Sequence, residues 1–248
     1  MSILEVKNLS FSFPGGEEIL SELSVTFTKG SLTVIAGKNG SGKTVLMKNL
    51  NGILLPSRGE VRFGEKSTVD HGAWIRQKVG LVFQDADSCI VGHTVMDDIL
   101  FGPSNLMMCR QESGKAAKRL LKEFGLWDKK DLPPRFLSGG EKKKLTMAGI
   151  LIMNPEVIIL DEPFVGLDFP GVRELLNIIL ALKEEGRTLV IISHDLEKIL
   201  AHTDRLIIME KGRIVKDGKP EELLDSLDSW GIRRPPERCL EEMTWLIS

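Results

Sequence analysis

The order of apolar and polar positions divides the chain into three regions. At the start, Ile3 to Leu9 alternates, Pro14-Gly15-Gly16 makes a turn, and Leu23 to Thr28 alternates again, which predicts half-buried strands. Leu32 to Ala36 is instead a short, wholly apolar run, the pattern of a strand covered on both faces. It stops at Gly37, and a helical pattern follows from Lys43 to Leu50. Pro56 to Gly59 turns the chain into a further strand at Glu60 to Phe63, and Val79 to Phe83 is the next.

From residue 85 the period lengthens. Thr94 to Phe101 and Gln111 to Phe124 read as amphipathic helices, and Leu132-Pro133-Pro134 ends the stretch, so residues 85–137 are expected to form a helical lobe inserted into an α/β core. Strand and helix patterns then alternate: helix Ser138 to Met153, strand Val157 to Leu160, helix Gly171 to Glu184, strand Thr188 to Ile192, helix Asp195 to Ala201 and strand Arg205 to Met209. Such alternation implies a mostly parallel sheet with helices on both faces. Lys211-Gly212 predicts a hairpin turn, and the tail from Lys219 starts as a helix with Pro220 in its first turn. The expected class is α/β, with an N-terminal antiparallel β subdomain beside the parallel core.

Composition narrows the function without naming it. The 248 residues carry 33 basic and 35 acidic side chains, a net charge of -2 that argues against a general nucleic-acid binder. Cys89, Cys109 and Cys239 lack metal-ligand spacing and read as reduced thiols of a cytosolic protein. Met1 to Lys7 has no basic start leading into an apolar run, so it is not expected to be a signal peptide. No apolar stretch approaches the roughly 20 residues that span a bilayer, and any membrane span is expected on another chain.

The chemistry is concentrated in a few motifs. Gly37-Lys38-Asn39-Gly40-Ser41-Gly42-Lys43-Thr44 fits G-x-x-x-x-G-K-[ST] between an apolar strand and a helix. Glycines there let successive backbone N–H groups turn toward phosphate oxygens, with Lys43 reaching the β- and γ-phosphates and the Thr44 hydroxyl ligating Mg²⁺. Asp161 and Glu162 stand side by side after the Val157–Leu160 strand, at the sheet edge where the phosphate loop also lies. Asp161 is expected to hold Mg²⁺, and Glu162 to orient and polarise an attacking water. Leu137-Ser138-Gly139-Gly140-Glu141 has two readings: Ser138 with Glu141 is a capping box, while the two glycines add nothing to a cap and leave helix N-terminal amides open to a phosphate.

Together these stretches resemble the ATP-binding-cassette (ABC) ATPases, whose signature loop reads LSGGQ, over roughly residues 1–220. The resemblance implies that Ser138, Gly139, Gly140 and Glu141 cap ATP held by a second ATPase subunit, identical or related. It also implies a glutamine near Mg²⁺ and water at Gln84, a D-loop aspartate at Asp168, a γ-phosphate-sensing histidine at His194 and an adenine-stacking aromatic at Phe13. Two residues depart from the pattern. Glu141 replaces glutamine, placing a negative charge near the γ-phosphate unless it folds back onto the cap, and Phe13 can stack but cannot hydrogen-bond.

Phe83-Gln84 with Asp87, Thr94-Val95 with Asp98, and Phe101-Gly102-Pro103 are similar to the energy-coupling-factor (ECF) importers and their cobalt and nickel relatives. That resemblance implies a transmembrane coupling protein, a membrane subunit that captures a vitamin or metal ion, and a peripheral position at the cytoplasmic face of the membrane. Ile90 and Val91 then either line a groove for the coupling protein or belong to the core. The tail 221–248, with Trp230 and Trp245, either joins two ATPases or packs on its own domain. Lys142 to Lys144 reads as a solvated face with packed stems. A soluble ABC ATPase, serving iron–sulfur assembly or nucleic acids, is the alternative.

Overall fold

The computed structural model describes residues 1–235 and 240–246. β1 (Ser2–Ser12), β2 (Glu18–Thr28), β4 (Arg58–Phe63) and β5 (Lys66–Ser67) form an antiparallel sheet in the order β2-β1-β4-β5. The second sheet has the order β10-β9-β3-β8-β7-β6. Its strands β3 (Leu32–Ala36), β6 (Val79–Val82), β7 (Val157–Asp161), β8 (Thr188–Ile192) and β9 (Arg205–Glu210) are parallel, and β10 (Arg213–Gly218) closes one edge antiparallel to β9.

The apolar runs of the parallel strands feed two cores at once. Val157 and Ile159 of β7 face the antiparallel sheet, while Ile158 and Leu160 face the other way, and the same division holds for β8 and β9. α1 (Lys43–Leu50) packs into the first core through Leu46, Met47 and Leu50. α5 (Gly139–Leu151) and α6 (Phe169–Glu184) cover the second face, joined by α3 (Val95–Asn105) and α4 (Arg110–Glu123) of the helical segment. Each fully buried Leu or Ile contributes on the order of 1.5–3 kcal/mol of transfer free energy. With every residue of β3, β7 and β8 buried, the sheet is a rigid base for the loops at its ends.

Several elements differ from the sequence expectation. Asp195 to Ala201 is two 3-10 turns, Leu196–Lys198 and Leu200–His202, separated by Ile199 at φ -134. No side chain caps the first of them, so a continuous helix has no anchored start there. α2 (Thr68–Lys78) gives no helical period because Thr68 and Ile75 are its only buried residues, and it is kinked at His71. β2 starts earlier than its alternation does, because left-handed residues at Asn8 and Glu22 and several register shifts break the period of two. Among its described residues the tail has one α-helical stretch, α7 (Pro220–Leu223), followed by 3-10 structure at Leu224–Trp230 and Leu240–Met243. Trp230 and Trp245 pack against this chain's own core, Trp245 lying 5.3 Å from the Phe169 ring. The tail residues Pro236, Cys239 and Ile247 lie outside the described residues.

One carboxylate ties the helical segment to the core sheet. Asp98 on α3 is buried and accepts from the Val91 and Gly92 amides at 2.8 and 2.9 Å, fixing the loop that leaves β6. Asp98→Ala strands both donors, so it is expected to lower the unfolding free energy by about 1–3 kcal/mol in chemical denaturation. A change within about 0.5 kcal/mol, the scale of an ordinary surface substitution, contradicts this assignment.

Candidate functional site

The phosphate-loop motif forms the turn from β3 into α1. Gly37 has φ 155, and a Cβ there would lie 2.3 Å from the Met209 carbonyl oxygen, so only glycine lets the loop pass β9. Gly42, left-handed at φ 98, precedes α1 and provides no side-chain cap. The first amides of α1 therefore keep their donors for an anion. Lys43 is buried and curls into the loop, donating to the Gly37 and Lys38 carbonyls at 2.6 and 3.0 Å.

β7 delivers the two carboxylates to the same cleft. Asn39 to Val45, Gln84, Asp161 and Glu162 line it together, including Ser41 and Thr44. Asp161 is 7% exposed and Glu162 9% exposed. Burial, and then the neighbouring Glu162 charge, push the Asp161 carboxyl up to about 6, against the pull of Lys43. Burial likewise holds the Lys43 ammonium below the ordinary lysine range, partly offset by Glu162 and Asp161. Glu162 sits in the left-handed region at φ 46, pinned by its N–H to the Ile192 carbonyl at 2.9 Å. Its carboxylate lies 2.7 Å from His194 Nδ1 and accepts the His194 amide at 3.1 Å and the Ser193 hydroxyl at 3.4 Å.

The donor set suits Mg²⁺, which takes one or two protein oxygens and completes its shell with water and phosphate. The Thr44 hydroxyl and Asp161 carboxylate are hard oxygen donors in one cleft, with the Gln84 amide nearby. Among the described residues no three His, Cys, Asp or Glu side chains gather as an all-protein metal cage. A nucleotide-bound Mg²⁺ requires none.

Phe13 is half exposed and meets Phe11 edge-on at 5.1 Å, outside the lining of this cleft. The signature stretch is also elsewhere. Ser138, Gly140, Glu141 and Asp168 line a second cleft between α5 and α6, which shares no lining residue with the first. Asp168 caps α6, accepting the Gly171 amide at 3.0 Å. Gly139 has nothing within 4 Å of where a Cβ would stand. Its lack of a side chain is therefore not demanded by this chain's own packing.

Of the two arrangements open to Glu141, the structure has the folded-back one. Its carboxylate accepts the Ser138 amide at 2.9 Å and the Lys129 ammonium at 2.5 Å, which holds its pKa below the usual carboxylate range, mainly through Lys129. The charge is thereby paired and turned onto the cap. The expectation for Lys142 to Lys144 needs correcting, because Lys143 is bonded to backbone carbonyls of the segment after Glu162. Sequence reading also passed over Ser193 and Lys129. Neither stands in a motif, and both act through partners distant in the chain. Ile90 packs against the core, whereas Val91 is 56% exposed and lines an apolar groove with Phe83, Phe101 and Met153.

The profile of the ABC transporter family matches residues 20–165. The energy-coupling factor transporter ATP-binding protein EcfA1 of Caldanaerobacter subterraneus is 42% identical over 91% of this chain and 84% of its own length. The cobalt import ATP-binding protein CbiO of Rhodobacter capsulatus is 38% identical over 94% of this chain and 85% of its own. The solved structure of cbiO1 from Clostridium perfringens, part of the ABC transporter complex cbiONQ, superposes with a TM-score of 0.82 at 34% identity, covering 94% of this chain and 95% of that one.

The Asp161 pKa gives a stability prediction with a definite sign. The folded chain holds this proton more tightly than the unfolded chain, so the associated stabilisation is complete below pH 3.8 and is lost as pH rises through about 6. Metal-free protein is expected to lose on the order of 2–3 kcal/mol across that window relative to Asp161→Asn, which has no such titration. Parallel pH-dependent melts of the two proteins check this, and identical pH dependence contradicts it.

Proposed function

The chain belongs to the ABC transporter family, among its energy-coupling factor ATPases, and from that premise we propose that it hydrolyses MgATP at sites shared between two ATPase subunits beneath membrane-embedded partners. The observation that carries this reading is the separation of the two clefts. Lys43, Thr44, Asp161 and Glu162 offer groups for phosphate, metal and water, while Ser138 to Glu141 present a helix start in another place. A triphosphate seated on Lys43 meets such a helix start when a second ATPase closes over it.

The roles follow from chemistry. Backbone amides from Gly40 to Thr44 and the Lys43 ammonium hold the phosphates, and Phe13 offers a ring face to the adenine. Thr44 and Asp161, with Gln84 in reach, would hold Mg²⁺, which would supply charge neutralisation to the triphosphate. Glu162 polarises the attacking water, and its bond to His194 fixes the orientation of that carboxylate in the cleft. Asp168 borders the cleft that receives the partner's nucleotide. Open amides at Gly139 and Gly140, with no side chain at Gly139 to obstruct approach, suit them to the partner's γ-phosphate.

Transport enters through other chains. No helix among the described residues is long and apolar enough to cross a membrane. We place the chain peripherally at the cytoplasmic face, with a transmembrane coupling protein against the groove beside Val91 and Phe101 and a further membrane subunit capturing a vitamin or transition-metal ion. The relatives' names, energy-coupling factor and cobalt import, support this reading over a soluble ABC ATPase.

Glu162→Gln keeps the size of the side chain but removes the carboxylate. It is expected to bind ATP normally, to lower kcat by about 10²–10⁴-fold and to accumulate as a closed nucleotide-bound dimer. Turnover assays with light scattering check both effects. Wild-type turnover in this variant removes Glu162 from its role.

A further inference from the structure

The three ammonium groups of Lys142, Lys143 and Lys144 go to different places. Lys142 pairs with Asp87 at 2.5 Å and Lys144 with Glu174. Lys143 donates to three backbone carbonyls instead: Val165 at 2.5 Å, Pro163 at 2.9 Å and Glu162 at 3.5 Å. Three donors of one ammonium thus face three acceptors on a single short segment.

That segment is the one that leaves Glu162. The Val165 amide closes a turn onto the Glu162 carbonyl at 3.3 Å, and Gly166, at φ 76, leads out of it toward Asp168. A left-handed non-glycine backbone costs about 1–2 kcal/mol and persists where its surroundings over-determine it. Glu162 is held from β8 through its N–H and from α5 through Lys143. Burial pulls the Lys143 pKa down, with Glu162 pulling it back up and Lys198 adding to the fall. An ammonium kept there despite its desolvation is matched to those carbonyls, not merely parked on a surface.

Lys143 also stands on the helix whose N-terminus is the Ser138 loop, roughly 7–8 Å along the axis from it. We infer that Lys143 is a positioning residue for hydrolysis, fastening the signature helix to the Glu162–Val165 turn so that seating of Ser138 on the partner's nucleotide moves the carboxylate in the chain's own cleft into register. This rests on the reading of Glu162 and of shared sites given above. It adds a mechanical link within one subunit between its half of one site and its half of the other.

The test compares Lys143→Met, which keeps the stem but loses every donor, with Lys143→Arg, which restores donors, in the assembled ATPase complex with MgATP. Because displacing a reacting group by about 1 Å can cost on the order of 100-fold, Lys143→Met is expected to lose about that much kcat while KM and the affinity for a non-hydrolysable ATP analogue stay within about twofold. Lys143→Arg is expected to regain most of the rate. Wild-type kcat in Lys143→Met overturns the inference. So does a joint loss of kcat and nucleotide affinity that arginine does not repair, the pattern of plain damage to the fold. Glu162→Gln separates the two levels. An inactive Glu162→Gln beside an unaffected Lys143→Met defeats only the lysine link, whereas a fully active Glu162→Gln defeats the reading beneath it as well.

Discussion

Burial of Lys43, Asp161 and Glu162 in one cleft is the constraint on which the rest depends. Taking charges out of water is costly unless each finds a partner, and here the partners are incomplete. Desolvation raises the Asp161 carboxyl to about 6 and lowers the Lys43 ammonium, while the Lys43 head is bonded to loop carbonyls. A phosphate chain with its metal would satisfy the Lys43 ammonium through anionic oxygens and the Asp161 carboxylate through a divalent cation. The rigid apolar strands beneath make that arrangement possible, because they hold the loop and the carboxylates at one sheet edge at no cost in mobile backbone.

The signature helix is the complementary case. Its start is already capped within the chain by Ser138 and Glu141, and Lys129 neutralises the glutamate. What a capping box does not explain is the pair of glycines, since Gly within a helix is about 1 kcal/mol less favourable than Ala. At Gly139 the chain itself has nothing near the missing side chain. Under the shared-site proposal, the demand for a small residue would come from the nucleotide that approaches from outside.

Much of the fold was legible in the sequence because continuous apolar runs such as Val157 to Leu160 permit only a strand covered on both sides. The cleft that gathers Lys43, Thr44, Gln84, Asp161 and Glu162 was legible because each stands at the end of such a strand or in a glycine loop following one. What escaped was set by contacts distant in sequence. α2 buries too little to show a period, the Asp195–Ala201 stretch has no cap to start a helix, and Lys143 looked like the lysines on either side of it although its partners lie some twenty residues on. The destination of the Glu141 carboxylate was undecidable without Lys129, twelve positions earlier.

Whether one nucleotide is gripped by two chains is best measured by where its γ-phosphate lies. An ATP analogue with a photoreactive γ-phosphate, bound to an assembled complex in which this chain carries Lys43→Ala and its partner ATPase has an intact phosphate loop, reports that directly. The shared-site account predicts crosslinking to the Ser138–Glu141 peptide of the Lys43→Ala chain, whose own cradle no longer grips phosphate. Crosslinks confined to peptides of the subunit whose phosphate loop is intact contradict it.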